Sequence, residues 1–249
     1  MAHGGPAGRR RIRRVPVPRA RRGARRRRRR GNQPPRAHDL GTPEGIEAVA
    51  ECVRELLEQY PQYRLRVLVN NAAKLLSPSF AETEFADFDR YFAVNARAPF
   101  FLAQRLVQVM PEGGSIVNVS SASAHFSSPG DIVYAMSKAA VESLTKNMAE
   151  AVAAQGIRVN AVIPGFTDNG HPGFGKPAVL EYMSSFSVLG GVSQPETVAA
   201  AVAFLASDAA ARTTGALLDV TGGSILGARG SRSHSVKDLL VPDAGQAPG

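Results

Sequence analysis

Residues Ser115 to Ala149 read SIVNVSSASAHFSSPGDIVYAMSKAAVESLTKNMA. The run Ile116-Val117-Asn118-Val119 has the length and β-branched make-up of a buried parallel strand. A serine-rich loop carrying Ser120, Ser121 and Ser123 follows it. The next stretch reads as a helix on which Tyr134 and Lys138, four residues apart, share one face. A free tyrosine, with a pKa of about 10, is a poor proton donor or acceptor at neutral pH. An ammonium group one turn away favours the phenolate, so the pairing predicts a Tyr134 pKa lowered toward the working range. A serine at the end of the strand can hydrogen-bond the oxygen whose proton the tyrosine handles.

Ser121 lies thirteen residues before Tyr134, which Ser120 and Ser123 do not. With that spacing, Ser121, Tyr134 and Lys138 resemble the Ser…Tyr-x-x-x-Lys signature of the short-chain dehydrogenase/reductase family. Companion motifs stand on either side. Upstream, Arg66-Val67-Leu68-Val69 reads as a buried strand running into Asn70-Asn71-Ala72-Ala73, which resembles the family's NNAG turn with Ala73 in place of glycine. Glu84 to Met110 reads as one long helix. On it Asn95 stands at the place of the family's fourth catalytic residue, and Pro99 opposes the Asn95 carbonyl, which predicts a local kink. Further upstream, Asp39-Leu40 resembles the acidic-apolar pair whose aspartate meets adenine. Thr42 reads as an N-cap with Pro43 behind it. Ile46, Val49, Val53, Leu56 and Leu57 then follow at helical spacing, as for a helix with one apolar face on a sheet.

Downstream, Ile157 to Ile163 reads as a strand ending in Pro164-Gly165, which resembles the family's PG motif beside the nicotinamide. The family's carboxamide-binding threonine usually comes later than Thr167, at the spacing that Asn169 holds here. Residues 166–189, rich in Gly, Pro, Ser and Phe, have the make-up of a mobile substrate loop. Ser193-Gln194-Pro195-Glu196 reads as a capping box opening a helix through Leu205, and Thr214 to Gly223 resembles the closing TG…DGG strand. His125 is a loop histidine near Ser121. The sequence shows no internal repeat and no metal-ligand pattern.

The chain has 249 residues and one cysteine, Cys52, which excludes a disulfide framework and suits a reducing cytoplasm. No apolar run approaches the roughly 20 residues of a membrane span. Its formal charge of +9 is very unevenly spread. Residues 1–36 hold 15 arginines, no lysine and no acid; the rest holds 15 bases and 21 acids, a net −6. The first 36 residues have no hydrophobic periodicity, and like-charge repulsion with proline predicts disorder there. Arg, Gly, Pro and Ala, the residues coded by G and C alone, dominate the segment. That reads better as out-of-frame translation of a GC-rich coding sequence, or a misassigned start, than as a nucleic-acid or acidic-surface arm or a mitochondrial presequence, which is usually amphipathic and rich in serine.

The resemblance spans residues 37 to 228. It implies an α/β chain with a single doubly wound, Rossmann-like parallel sheet in residues 37–229, followed by a flexible tail at 230–249. It implies reversible hydride transfer between NADP or NAD and a carbonyl or secondary alcohol of a small molecule, in a cytoplasmic homodimer or homotetramer. Asn95, Ser121, Tyr134 and Lys138 are the implied catalytic residues. Asp39, Asn71, Ala72, Tyr134, Lys138, Pro164, Gly165 and Thr167 are the implied cofactor contacts. One departure stands out. Residues 1–36 contain no apolar run followed by the family's glycine-rich TGxxxGxG turn, so the first β-α-β unit, which holds the pyrophosphate, is absent. Two other classes therefore fit parts of the chain: a protein of the same fold with impaired catalysis, or a nucleic-acid binder acting through the arginines.

Overall fold

The computed structural model describes residues 38–170, 174 and 176–226. The expectations for residues 1–36, for the first β-α-β unit and for the tail at 230–249 lie outside the described residues. Four strands form one sheet: β1 (Val67–Asn70), β2 (Ser115–Val119), β3 (Arg158–Pro164) and β4 (Leu217–Val220). They stand in the order β1-β2-β3-β4 and every neighbouring pair is parallel. Val69 registers with Val117, Val117 with Asn160, and Val162 with Leu218. Parallel pairing requires a crossover between strands, and helices supply it. Helix α1 (Pro43–Gln59) precedes β1, and α2 (Phe85–Phe92) and α3 (Ala98–Leu106) link β1 to β2. Helix α4 (Ile132–Ala151) links β2 to β3, while α5 (Pro177–Ser184) and α6 (Pro195–Ala206) lie between β3 and β4.

Side chains alternate across the sheet. Ile116 and Val159 pack with Ala103 of α3 and Met148 and Ala149 of α4 on one face. Val117 and Val162 pack with Leu205 and Val202 of α6 on the other. Helices cover both faces, which is why β2 and β3 are apolar at successive positions instead of alternating with polar ones. The polar exceptions are bonded. Asn70 donates to Asn118 Oδ1 at 2.8 Å, and Asn118 donates to Thr145 Oγ1 at 2.9 Å, so a buried chain of amide and hydroxyl ties β1 through β2 to α4. Asn160 donates to the Thr213 carbonyl and accepts from the Ala216 N–H, fixing the entry to β4. Among the described residues, no buried side-chain nitrogen or oxygen lacks a partner.

Three local expectations change. Helix α1 is capped as expected, Thr42 Oγ1 accepting from Gly45 N at 3.0 Å, but among the described residues its apolar stripe packs through Ile46 on Ala98 and Leu102 of α3 instead of on the sheet. That contact runs through Ile46 and Val49 and leaves Leu56 half exposed. The long helix expected from Glu84 to Met110 contains a π-helical turn at Ala93–Arg97, whose wider loop shows in the Ala98 N–H reaching the Ala93 carbonyl. Pro99 has no N–H to return to the carbonyls one turn back, which favours this widening over a regular helix. The capping box expected at Ser193 does not form. Gln194 is the N-cap without a side-chain bond, and Ser193 is drawn into a bridge with Thr167.

Candidate active site

The C-terminal ends of β1, β2 and β3 meet the start of α4 and the π turn, the edge at which open parallel sheets bind ligands. Ser121 stands two residues beyond β2 in extended conformation, where its Oγ accepts from Ser123 Oγ at 3.0 Å and from Ser123 N. Ser121 stands near enough to the Tyr134 phenol to bear on its acidity. Tyr134 lies in the first turn of α4, which is anchored from outside: Ser77 N donates to Asp131 Oδ1 at 2.7 Å, and Tyr134 N points at Ser77 Oγ.

Lys138 is buried, and its Nζ donates to the Val119 carbonyl at the end of β2 at 2.7 Å. The ammonium stands 5.7 Å from the centre of the Tyr134 ring, over its face. Burial alone lowers the Lys138 pKa to about 8. The Tyr134 phenol moves the other way from the sequence expectation. Burial pushes it above its ordinary value and the Asp131 carboxylate adds to the rise, while the hydrogen bond from Ser121 opposes them. The lysine on the next turn is held by a backbone carbonyl instead of by the phenol oxygen, so desolvation decides the sign.

Asn95 is fully buried in the π turn. Its Oδ1 accepts from Lys74 N at 2.8 Å, and its Nδ2 donates to the Lys74 carbonyl and to Ser137 Oγ at 2.9 Å. Ser137 in turn donates to the Tyr134 carbonyl at 2.7 Å. The structure thus joins Asn95 to the helix of Tyr134 and Lys138 through Ser137, a link with no signal in the sequence. The wider loop of the π turn aims Asn95 at two backbone groups and α4 at once.

The other residues that the resemblance assigns to a cofactor stand ahead of α1, just beyond β1, and at and just beyond β3. Asn71 and Ala72 form an exposed, irregular segment beyond β1. Gly165 follows β3 so closely packed that a Cβ there would come 2.8 Å from the Thr221 carbonyl oxygen. Thr167 donates to the Gly165 carbonyl at 3.1 Å, and Pro164 ends β3. Asp39 is exposed and accepts two bonds from the Arg90 guanidinium, at 2.8 and 3.0 Å. The Gly41 N–H, and then Arg90, hold its carboxyl below the usual range.

Two groups escaped the sequence reading. Glu142, two turns after Tyr134, accepts from Ser120 Oγ at 2.6 Å and faces His125 Nε2 at 2.8 Å. This buried carboxylate ties the serine loop to α4, and it turns His125 toward the helix. Its only trace in the sequence is a glutamate on the sheet-facing side of α4. The second group is a cluster of rings around Phe186, which draws on the segments that follow Ser121 and Gly165. Among the described residues there is no cluster of three or more His, Cys, Asp or Glu arranged to hold a metal, and no helix is long and apolar enough to cross a membrane.

A family model described as enoyl-(acyl carrier protein) reductase matches residues 24–224. The 3-oxoacyl-[acyl-carrier-protein] reductase FabG of Thermotoga maritima is 35% identical over 182 residues, covering 72% of this chain and 73% of that protein. A hydroxynaphthalene reductase-like protein, Arp2, of Metarhizium brunneum is 32% identical over 194 residues, with 72% of each chain covered. Among solved structures, the angucycline C-6 ketoreductase LanV with bound NADP superposes with a TM-score of 0.72 at 40% identity, over 76% of this chain and 74% of that one.

Proposed function

The chain belongs to the short-chain dehydrogenase/reductase family, and from that membership we propose that it is an NADP- or NAD-dependent reductase converting a ketone to a secondary alcohol. The observation that carries this reading is the meeting of Ser121 with Tyr134 one helical turn before the buried Lys138. The matching family model takes its description from enoyl reduction. Enoyl reductases of this superfamily, however, space Tyr and Lys more widely than Tyr134 and Lys138, which favours a carbonyl over a carbon–carbon double bond. LanV binds NADP, and it supports the choice of cofactor.

The donor set fits the nicotinamide half of such a cofactor. An ammonium has three N–H donors, and Lys138 spends one on the Val119 carbonyl, leaving donors for a ribose diol. Asn71, Ala72, Pro164, Gly165 and Thr167 would line the nicotinamide cleft, and Asp39 would stand at the adenine end. When bound, the cofactor supplies the hydride that reaches the carbonyl carbon.

The protein's own groups handle the oxygen. Ser121 donates a hydrogen bond to it and fixes its direction. Tyr134, held protonated at neutral pH by its raised pKa, delivers its proton to the oxygen as negative charge builds there. The Lys138 ammonium stabilises the phenolate left behind, which it meets only after the proton has gone. Asn95 holds the turn at Lys74 and the segment at Ser137 so that a water chain can return a proton through Lys138. The resemblance also supports a cytoplasmic homodimer or homotetramer. Phe100 on α3 and Met136 on α4, both left more than 40% exposed, are suited to such self-association.

The test is turnover of a ketone by the full chain at millimolar NADPH. The substitution Tyr134→Phe keeps the ring and its packing but removes the proton, so kcat should fall by about 100-fold or more. Retention of more than about a tenth of the wild-type rate would exclude Tyr134 as the general acid.

A further inference from the structure

Among the side chains that the proton chemistry leaves unused is a cluster of aromatic rings that begins five residues beyond Ser121. Phe186 is the hub, its ring centre 5.5 Å from that of Phe126, 5.4 Å from Phe166 and 5.2 Å from Tyr182. The four rings come from three places. Phe126 is five residues beyond Ser121, Phe166 two beyond the end of β3, and Tyr182 and Phe186 lie on and just after α5. Backbone bonds fix their origins. Ser193 N donates to the Phe166 carbonyl at 2.9 Å, and Ser187, beside Phe186, donates through its Oγ to the Gly222 carbonyl at 3.0 Å.

None of these pairs is stacked flat. The interplanar angles are 38°, 70° and 74°, so the rings meet tilted or edge to face. Phe126, Phe166 and Phe186 are only half-buried and Tyr182 is 62% exposed, which leaves ring surface free on segments that continue from the Ser121 loop and from Gly165. Charge is sparse there. Residues 166–192 carry one lysine, Lys176, against Asp168 and Glu181. A surface of that balance offers nothing to steer an acidic carrier protein, whereas rigid rings with free faces suit a rigid planar partner.

We propose that Phe126, Phe166, Tyr182 and Phe186 form the substrate wall and select a flat, fused-ring aryl ketone, whose carbonyl projects past Phe126 to Ser121 and Tyr134. This deepens the ketone-reductase reading and rests on it. The acyl chain of a β-ketoacyl thioester, flexible and without a π face, gains less from such a wall.

Two probes separate the alternatives in the full chain: 1-tetralone as a fused-ring aryl ketone, and acetoacetyl-N-acetylcysteamine as an acyl thioester. With NADPH in excess, kcat/KM should favour 1-tetralone by about tenfold or more. Phe186→Leu keeps the apolar bulk without the ring and should raise the KM for 1-tetralone about tenfold with little change in that for the thioester. Tyr182→Ala removes an exposed ring that no fold depends on and should act in the same direction. Saturation-transfer NMR reads 1-tetralone binding apart from turnover. Tyr134→Phe should keep the transfer and lose turnover, while Phe186→Leu should lose the transfer. Transfer without turnover in the wild type would overturn the reductase reading and leave the wall standing. Preference for the thioester, or equal KM changes for both probes in Phe186→Leu and Tyr182→Ala, would overturn the wall.

Discussion

At the scale of single residues, Lys138 gives the most specific expectation. Its pKa of about 8 results from burial beside one carbonyl acceptor. Because the folded value lies below the ordinary 10.5, the folded protein gives up this proton before the unfolded chain does. Below about pH 8 both states hold it, so the cost of burying the charge is constant. Between about 8 and 10.5 the folded state has shed the proton, and the contribution of this group to stability rises with pH. Tyr134, pushed above 10.0, acts outside most of that window. Carbon-13 NMR of Cε-labelled lysine should show one resonance titrating near 8, missing in Lys138→Met. A full set of lysines titrating above 10 would refute the burial argument. The identities of Tyr134, Lys138 and Ser121 were legible because they sit in a fixed spacing. The direction of the Tyr134 pKa was not, because it depends on where the Lys138 amine points and how dry the phenol is.

Elements show the same division. The strands were readable at Val67, Ile116 and Arg158 because a parallel sheet buried on both faces demands runs of apolar, β-branched residues. The turn at Asn95 was readable only as a kink, since Pro99 announces a missing N–H but not which carbonyl is passed over. Asn118, a polar residue inside β2, was visible in the sequence, but its partner Asn70 sits 48 residues away and is brought to it only by the sheet register. That bond sets a stability prediction. Asn118→Leu is close in volume, yet leaves the buried Asn70 amide without its acceptor, which costs about 1–3 kcal/mol. Urea denaturation should show that loss, and Asn70→Leu added to Asn118→Leu should restore part of it by removing the orphaned donor. A single substitution as stable as the wild type would mean that the Asn70 amide finds another acceptor.

For the molecule taken whole, the parallel sheet flanked by helices was legible through the family resemblance, which implied a doubly wound, Rossmann-like sheet. The packing of α1 on α3 was not, because helical spacing names an apolar face without naming what it meets. The missing glycine-rich turn leads to a prediction about affinity. If the nicotinamide half is held as proposed, then with no such turn in the sequence NADPH should bind more weakly than about 100 µM. Reduced nicotinamide mononucleotide, which lacks the adenosine half, should come within about tenfold of it. Calorimetric titration of both decides the matter, and low-micromolar NADPH binding would show that another segment grips the pyrophosphate. The sheet order has a further consequence. Each strand lies beside the one made just before it, from β1 to β4. Among the described residues, a chain leaving the ribosome at about 5–20 residues per second therefore finds the partner of β2, β3 and β4 already made. Each arrival extends the edge left by the last, in one direction. Some buried polar groups still wait: Ser115 on β2 for the Leu205 carbonyl, and the Asn160 amide on β3 for Thr213 and Ala216, so the growing protein carries unfilled polar positions in strands already laid down.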